Sequence, residues 1–180
     1  MIAIIDYGAG NIFSVKNALD YLGVENKLTA DKNEICAADE IILPGVGAFP
    51  WAMKMLRDSG LVDTIREEAR KKPFLGICLG MQLIFDKGYE FEETDGLRLI
   101  GGKVEKIDRK DMIIPHMGWN ELEINRDCPI LKSLPEHPYV YFVHSYAAVC
   151  DEANVSAYCD YGGKITALVH DGAYVYGAQF

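Results

Sequence analysis

A cysteine between two glycines, preceded by a strand-like apolar run and followed by helical spacing, is the part of this sequence best suited to chemistry. The stretch reads Pro73-Phe74-Leu75-Gly76-Ile77-Cys78-Leu79-Gly80-Met81-Gln82-Leu83-Ile84-Phe85. Gly-x-Cys-x-Gly at a strand-to-helix switch is a nucleophile-elbow pattern, the thiol counterpart of Gly-x-Ser-x-Gly. A nucleophile on so tight a turn sits in strained backbone, and neighbours without a Cβ let the chain bend and a substrate approach. The helix after it should aim its N-terminal amides at Cys78 and favour the thiolate. The N–H of Leu79 is then placed to donate to an oxyanion. Against this stands the commoner fate of a lone cysteine in an apolar strand, which is to be a small core residue. The paired glycines and the change of period tip the reading to a nucleophile.

A cysteine nucleophile needs an oxyanion site and a base. Gly45-Val46-Gly47 follows the apolar run Glu40–Leu43 and could present a second N–H to the thiol; alternatively it is only a turn into the next helix. The histidines are His116, His137, His144 and His170. His144 ends the aromatic run Tyr139-Val140-Tyr141-Phe142-Val143 and is the best base candidate from within the sequence; its other reading is a strand-end residue lining a site. His137, between Glu136 and Pro138, reads as solvent-facing loop. Gly8-Ala9-Gly10 occupies the dinucleotide-binding position, but the third glycine of that fingerprint falls on Phe13, so a tight turn or a partner-facing loop fits better.

Positioning these residues takes an α/β domain, expected to span 1–180, with an open, mostly parallel central sheet flanked by helices. Strands are expected at Ile2–Asp6, Val24–Leu28, Glu40–Leu43 and Pro73–Ile77. Helices are expected from Asn11 as cap through Leu22, then over Ala48–Arg57 and Leu61–Lys71. The first helix shows an apolar stripe of Ile12, Val15, Ala18, Leu19 and Leu22. Beyond Gly88 the pattern turns to strands at Leu97–Ile107, Glu121–Ile124, Tyr139–Val143, Val149–Tyr158, Ile165–His170 and Ala173–Gln179. These are expected to add to the sheet as antiparallel strands. Loops at Tyr7–Asn11, after Leu43 and at the elbow all fall at carboxyl ends of parallel strands, where α/β sheets collect ligands.

Composition narrows the partners. Of 180 residues, 49% are hydrophobic and 25% charged, as in globular proteins. No apolar run nears the ~20 residues of a membrane helix, and no basic stretch precedes Met1–Asp6 as in a secretory signal. Five cysteines without a CxxC pair suggest neither zinc nor a disulfide framework, and fit a reducing cytoplasm. A net charge of −9 argues against nucleic acid. Arg66, Arg70, Lys71 and Lys72 read as a solvated helix end. No cofactor or metal is suggested.

Several segments together carry a family resemblance. Leu75-Gly76-Ile77-Cys78-Leu79-Gly80-Met81-Gln82 resembles the nucleophile segment of the class I (triad) glutamine amidotransferases, whose fold is flavodoxin-like. Four more segments narrow the likeness to the glutaminase subunits of imidazole glycerol phosphate synthases. They are Asp6-Tyr7-Gly8-Ala9-Gly10-Asn11, Pro44-Gly45-Val46-Gly47-Ala48-Phe49, Pro115-His116-Met117-Gly118-Trp119-Asn120 and Tyr141-Phe142-Val143-His144-Ser145-Tyr146. The resemblance runs from Met1 to Phe180 and implies a role for each segment. Cys78 would attack the glutamine side-chain amide to give a thioester and ammonia. Leu79, Val46 and Gly47 would hold the oxyanion. Gln82, His144, Ser145 and Tyr146 would grip the glutamine. Asn11, Met117 and Trp119 would face a (βα)8-barrel cyclase partner that takes the ammonia within a heterodimer.

The family's last strand continues Gln-Phe-His-Pro-Glu, and its His and Glu complete the triad. No residue of this sequence matches them, so the expectation is impaired catalysis by the chain as written. The other readings are a glutaminase of pyridoxal phosphate synthesis, against which Pro115–Trp119 speaks, and a non-catalytic scaffold of the same fold.

Overall fold

The computed structural model describes residues 1–180. Its strands are β1 (Ile2–Ile5), β2 (Asn26–Thr29), β3 (Glu40–Gly45), β4 (Phe74–Cys78), β5 (Lys87–Gly88), β6 (Thr94–Asp95) and β7 (Gly102–Lys106). They continue with β8 (His116–Glu121), β9 (Glu123–Ile124), β10 (Tyr139–His144), β11 (Tyr146–Cys150), β12 (Val155–Asp160), β13 (Lys164–His170) and β14 (Val175–Ala178). The helices are α1 (Ile12–Tyr21), α2 (Lys32–Ala37), α3 (Phe49–Asp58), α4 (Val62–Glu68) and α5 (Leu79–Leu83). None is long and apolar enough to cross a membrane.

The main sheet has eight strands in the order β2-β1-β3-β4-β14-β13-β12-β9. Strands β2, β1, β3, β4 and β14 run parallel. The β13, β12 and β9 strands extend the sheet antiparallel. The cysteine strand β4 therefore lies between two parallel neighbours. Ile41, Leu43 and Phe74 of β3 and β4 are buried, as strands covered on both faces require. Helices α3, α4 and α5 pack Phe49, Met53, Leu56, Ile65 and Met81 into the same core.

The second half departs from a simple antiparallel extension. The β14 strand inserts as a parallel strand beside β4, while β11-β7-β5-β6 and β10-β8 form two smaller sheets. Only the second half of the expected Leu97–Ile107 strand, Gly102–Lys106, forms a ladder. The backbone of Leu97, Arg98 and Leu99 instead donates to carbonyls of Leu83, Phe85 and Ile84 at the end of α5. Val149–Tyr158 is broken by a 3₁₀ turn at Glu152–Asn154, where Asp151 accepts from the Ala153 N–H at 2.8 Å. Helix α2 was not expected from the sequence; its cap is Asp31, whose Oδ1 accepts from the N–H groups of Asn33 and Glu34. In α1 no residue is fully buried, and its apolar stripe is only partly covered, with Ala18 and Leu22 exposed. Asn11 occupies the cap position of α1 but makes no side-chain capping bond.

The basic cluster is a solvated end only at Arg70 and Lys71, which are exposed. Lys72 Nζ donates to the carbonyls of Ile35, Cys36 and Ala38 and pairs with Glu68 at 2.8 Å, tying α2 and α4 to the start of β4. Arg66 donates to the carbonyls of Leu97 and Gly96. Glu68, which is nearly buried, is held below the usual carboxylate range by hydrogen bonds from Lys71 and Lys72. A depressed carboxylate stabilises the fold above its unfolded value, so this contribution should fade as pH falls below 4.5. Lys72→Met should cost about 2–3 kcal/mol, since it orphans three carbonyls and leaves Glu68 with Lys71 alone. Thermal unfolding at pH 7 should show a midpoint lowered by about 5–10 °C; an unchanged midpoint would remove the strut from this account.

Candidate active site

Cys78 occupies the elbow at the junction of β4 and α5 with φ 54° and ψ −113°, a conformation that L residues avoid. Such backbone costs about 1–3 kcal/mol and persists only where its surroundings impose it. The neighbouring glycines impose it by close approach. A Cβ on Gly76 would stand 2.5 Å from the Gly80 carbonyl oxygen, and one on Gly80 would overlap the Leu43 carbonyl of β3. Gly45 is pressed against the Gly80 nitrogen in the same way. The strain thus falls on the cysteine, while the glycines let β3, β4 and α5 touch backbone to backbone.

Around this point lies a cleft of about 320 Å³. It is lined by Val46, Gly47, Cys78, Leu79, Gln82, Glu90, Pro115, Val143, His144, Ser145 and Tyr146. The structure brings Cys78, the proposed oxyanion residues Leu79, Val46 and Gly47, and the proposed substrate residues Gln82, His144, Ser145 and Tyr146 into one wall-to-wall site. The N–H groups of Val46 and Gly47 are not spent on any intramolecular backbone hydrogen bond. Gly47 holds φ +95°, which a side chain would disfavour.

The electrostatics correct one expectation. Burial pushes the Cys78 thiol above its ordinary value of 9.0, and the Leu79 N–H offsets only part of that. Helix α5 has five residues, too short for its end to outweigh desolvation of the thiolate. Sγ receives one side-chain contact, from Gln179 Nε2 at 3.7 Å.

Gln82 is buried, and its Nε2 donates to the Tyr146 carbonyl at 3.1 Å and to Gln179 Oε1 at 2.9 Å. Its Oε1 is the group left for a ligand. His144 does not approach Cys78 as a base. Its Nδ1 meets the Tyr146 carbonyl at 2.9 Å, its Nε2 meets His116 Nδ1 at 2.9 Å, and burial lowers it to about 4. Glu90 was missed in the sequence. Its Oε2 accepts from the Phe49 N–H at the start of α3, 41 residues away, and no local pattern announces that pairing.

Met117 and Trp119 lie outside the cleft. On the β8–β10 ribbon they are exposed together with Tyr139, Tyr141 and Val143, and Trp119 meets Tyr141 edge to face at 5.6 Å. Asn11 is exposed on the loop after β1.

The profile of the family described as glutamine amidotransferase class-I matches residues 3–180. The chain belongs to this family. An imidazole glycerol phosphate synthase subunit HisH from Listeria monocytogenes serotype 4a (strain HCC23) is 48% identical over 182 residues, covering 100% of this chain and 86% of the relative. The protein of the same name from Bacillus cereus (strain G9842) is 49% identical over 181 residues, with the same coverage. Solved structures share the fold. A glutamine amidotransferase crystal structure superposes with a TM-score of 0.77 at 21% identity, covering 100% of this chain and 89% of that one. PurLQS from Thermotoga maritima does so with 0.72 at 21%, covering 98% and 84%.

Within this family member the thiol, not the thiolate, should dominate at neutral pH. Alkylation of Cys78 by iodoacetamide, followed by mass spectrometry, should accelerate about tenfold per pH unit from 7 to 9. A plateau below pH 8 would mean that burial does not govern the group.

Proposed function

We propose that the chain is the glutaminase subunit of an imidazole glycerol phosphate synthase, releasing ammonia from glutamine for a cyclase partner. The observation that carries this reading is the strained Cys78 in a cleft shared with two free N–H groups, in a chain 48% identical to HisH subunits. Sγ adds to the γ-carboxamide carbon, and the N–H groups of Leu79, Val46 and Gly47 stabilise the oxyanion. Collapse expels the amide nitrogen as ammonia once it has received a proton, leaving a γ-glutamyl thioester. Water then adds to the thioester and returns glutamate and the thiol. Gln82 Oε1 and the Ser145-Tyr146 backbone hold the amino-acid end of the substrate.

Both proton transfers need a base, and no imidazole of residues 1–180 contacts Sγ. Strand β14 runs parallel to β4 with Ala178 opposite Ile77. A His-Pro-Glu continuation of that strand, as in the family, would therefore emerge beside Cys78. Five thiols with no disulfide among them suit a reducing cytoplasm.

The exposed aromatic face of the β8–β10 ribbon is our choice for the cyclase interface, with Trp119 as anchor and Asn11 beside it in role. A (βα)8-barrel partner would receive ammonia directly. Channelling keeps it unprotonated, whereas ammonium in water is not a nucleophile.

Steady-state assays with the cyclase partner test the chemistry. A chain continued through His-Pro-Glu should release glutamate, residues 1–180 alone should be slower by about 10²–10⁴-fold, and Cys78→Ala should abolish turnover. Equal rates for the two lengths would reject the assignment of the base. For the interface, Trp119→Ala should weaken association by about 2 kcal/mol, some thirtyfold in Kd, while leaving Cys78 alkylation unchanged. Unaltered affinity by calorimetry would move the interface elsewhere.

A further inference from the structure

The inner face of the β8–β10 ribbon holds two buried histidines whose hydrogen bonds can be counted proton by proton. His116 is fully buried and His144 nearly so. The Tyr146 carbonyl can only accept, so the nitrogen facing it, His144 Nδ1, carries a proton. At the other end, Asn120 Nδ2 donates to the Asp160 carbonyl at 3.0 Å. That donation turns Asn120 Oδ1 toward His116 Nε2 at 2.8 Å, so this nitrogen also carries a proton. Between the rings, His144 Nε2 and His116 Nδ1 stand 2.9 Å apart and need one proton between them. The sum is three protons on four ring nitrogens, and two neutral imidazoles supply only two. A neutral pair would leave one of the three contacts lone pair against lone pair, in the interior where that is most costly.

We propose that His116 and His144 share three ring protons, and hence one positive charge, at neutral pH, and that this charged pair positions the cleft wall. The His116 ring lies between two aromatic faces. That ring stacks on Tyr161 at 3.9 Å and on Phe142 at 4.8 Å, and aromatic faces attract a cation. The Tyr161 hydroxyl is itself fixed by donating to the Ile113 carbonyl at 2.7 Å. Burial keeps His144 neutral, with His116 adding to the same effect. No carboxylate neutralises the pair. Asp160, at the end of β12, accepts from the Gly163 N–H, and Glu90, across the cleft, accepts from the Phe49 N–H. Tyr161 stacks on the His116 ring, and Cys78 and Tyr146 share the cleft lining with His144.

What the pair positions can be followed bond by bond. The Tyr146 carbonyl accepts from His144 Nδ1 and also from Gln82 Nε2, which in turn reaches Gln179, whose amide lies against Cys78 Sγ. His116 thus acts through His144 on the wall that faces the thiol, without touching the reacting atoms. Loss of the third proton as pH rises breaks one link and loosens that wall.

The test is ring-nitrogen NMR on the histidine-labelled chain at pH 7. Three protonated nitrogens and one bare one across His116 and His144 are expected; two protonated nitrogens overturn the proposal. Asn120→Ala removes an acceptor from the charged form. It should move the loss of the third proton down by about one to two pH units, whereas Asn120→Asp should move it up. Unmoved titration in both folded variants also overturns it. A kinetic readout rests on the glutaminase reading above. In the complex with its cyclase, KM for glutamine should rise several-fold on the alkaline side with kcat little changed, and Asn120→Ala should shift that limb to lower pH. Because the proton count needs no turnover, a failed count rejects the charged pair, and a sound count without glutaminase activity rejects the functional reading instead.

Discussion

Backbone-to-backbone contact between β3 and the elbow is the constraint from which the site follows. A strand and a helix joined by a single residue cannot keep that residue in an ordinary conformation. The parallel ladder fixes β4 on both sides, through Leu43 opposite Gly76 and Gly177 opposite Gly76 from the other neighbour. Helix α5 then has to turn back over the Leu43 carbonyl. Only glycine at 80 permits that approach, and the remaining torsional misfit collects at Cys78. The same contact brings the Gly45-Val46-Gly47 loop against α5, so the thiol and the free N–H groups arrive together. A few kcal/mol of strain at one residue is tolerable because the flanking strands are held by core packing that does not depend on it.

Holding the thiol in this pocket has an electrostatic consequence opposite to the one a helix terminus suggests. Desolvation disfavours the anion, and a helix of five residues returns little of that loss. A cysteine kept neutral at rest is less open to oxidation, which proceeds through the thiolate. In the glutaminase role we propose, its activation would depend on a base and on the substrate's own arrival, not on a standing anion.

The local parts of this arrangement were legible in the sequence, and the parts made by distant pairing were not. Gly76, Cys78 and Gly80 announced the elbow because the chemistry of a tight turn is written in adjacent residues. The parallel strands β1, β3 and β4 were legible because burial on both faces demands unbroken apolar runs. By contrast, Glu90 meets Phe49 and Lys72 meets α2 across tens of residues, and no periodicity encodes either contact. The apolar segment Leu97–Ile100 imitated a strand because it is buried, yet its backbone bonds close the end of α5. His144 was ambiguous for a related reason. A strand-end histidine looks alike whether it serves as a base or as a link, and only its two ring partners distinguish them.

The β8–β10 ribbon joins these two kinds of information. Its side chains alternate, so the residues next to the buried histidines are the exposed ones. Met117 follows His116, Val143 precedes His144, and the register pairs Met117 with Val143 and His116 with His144. A body pressed onto the outer face therefore bears on the same peptide units that hold the inner histidines. Polar groups buried on an inner face stabilise only when every one is paired, and a small displacement unpairs them. The ribbon is consequently rigid toward packing but sensitive toward its hydrogen bonds. Packing at Trp119 and the hydrogen bonds behind it therefore share one two-stranded backbone, which reaches the Tyr146 carbonyl through His144.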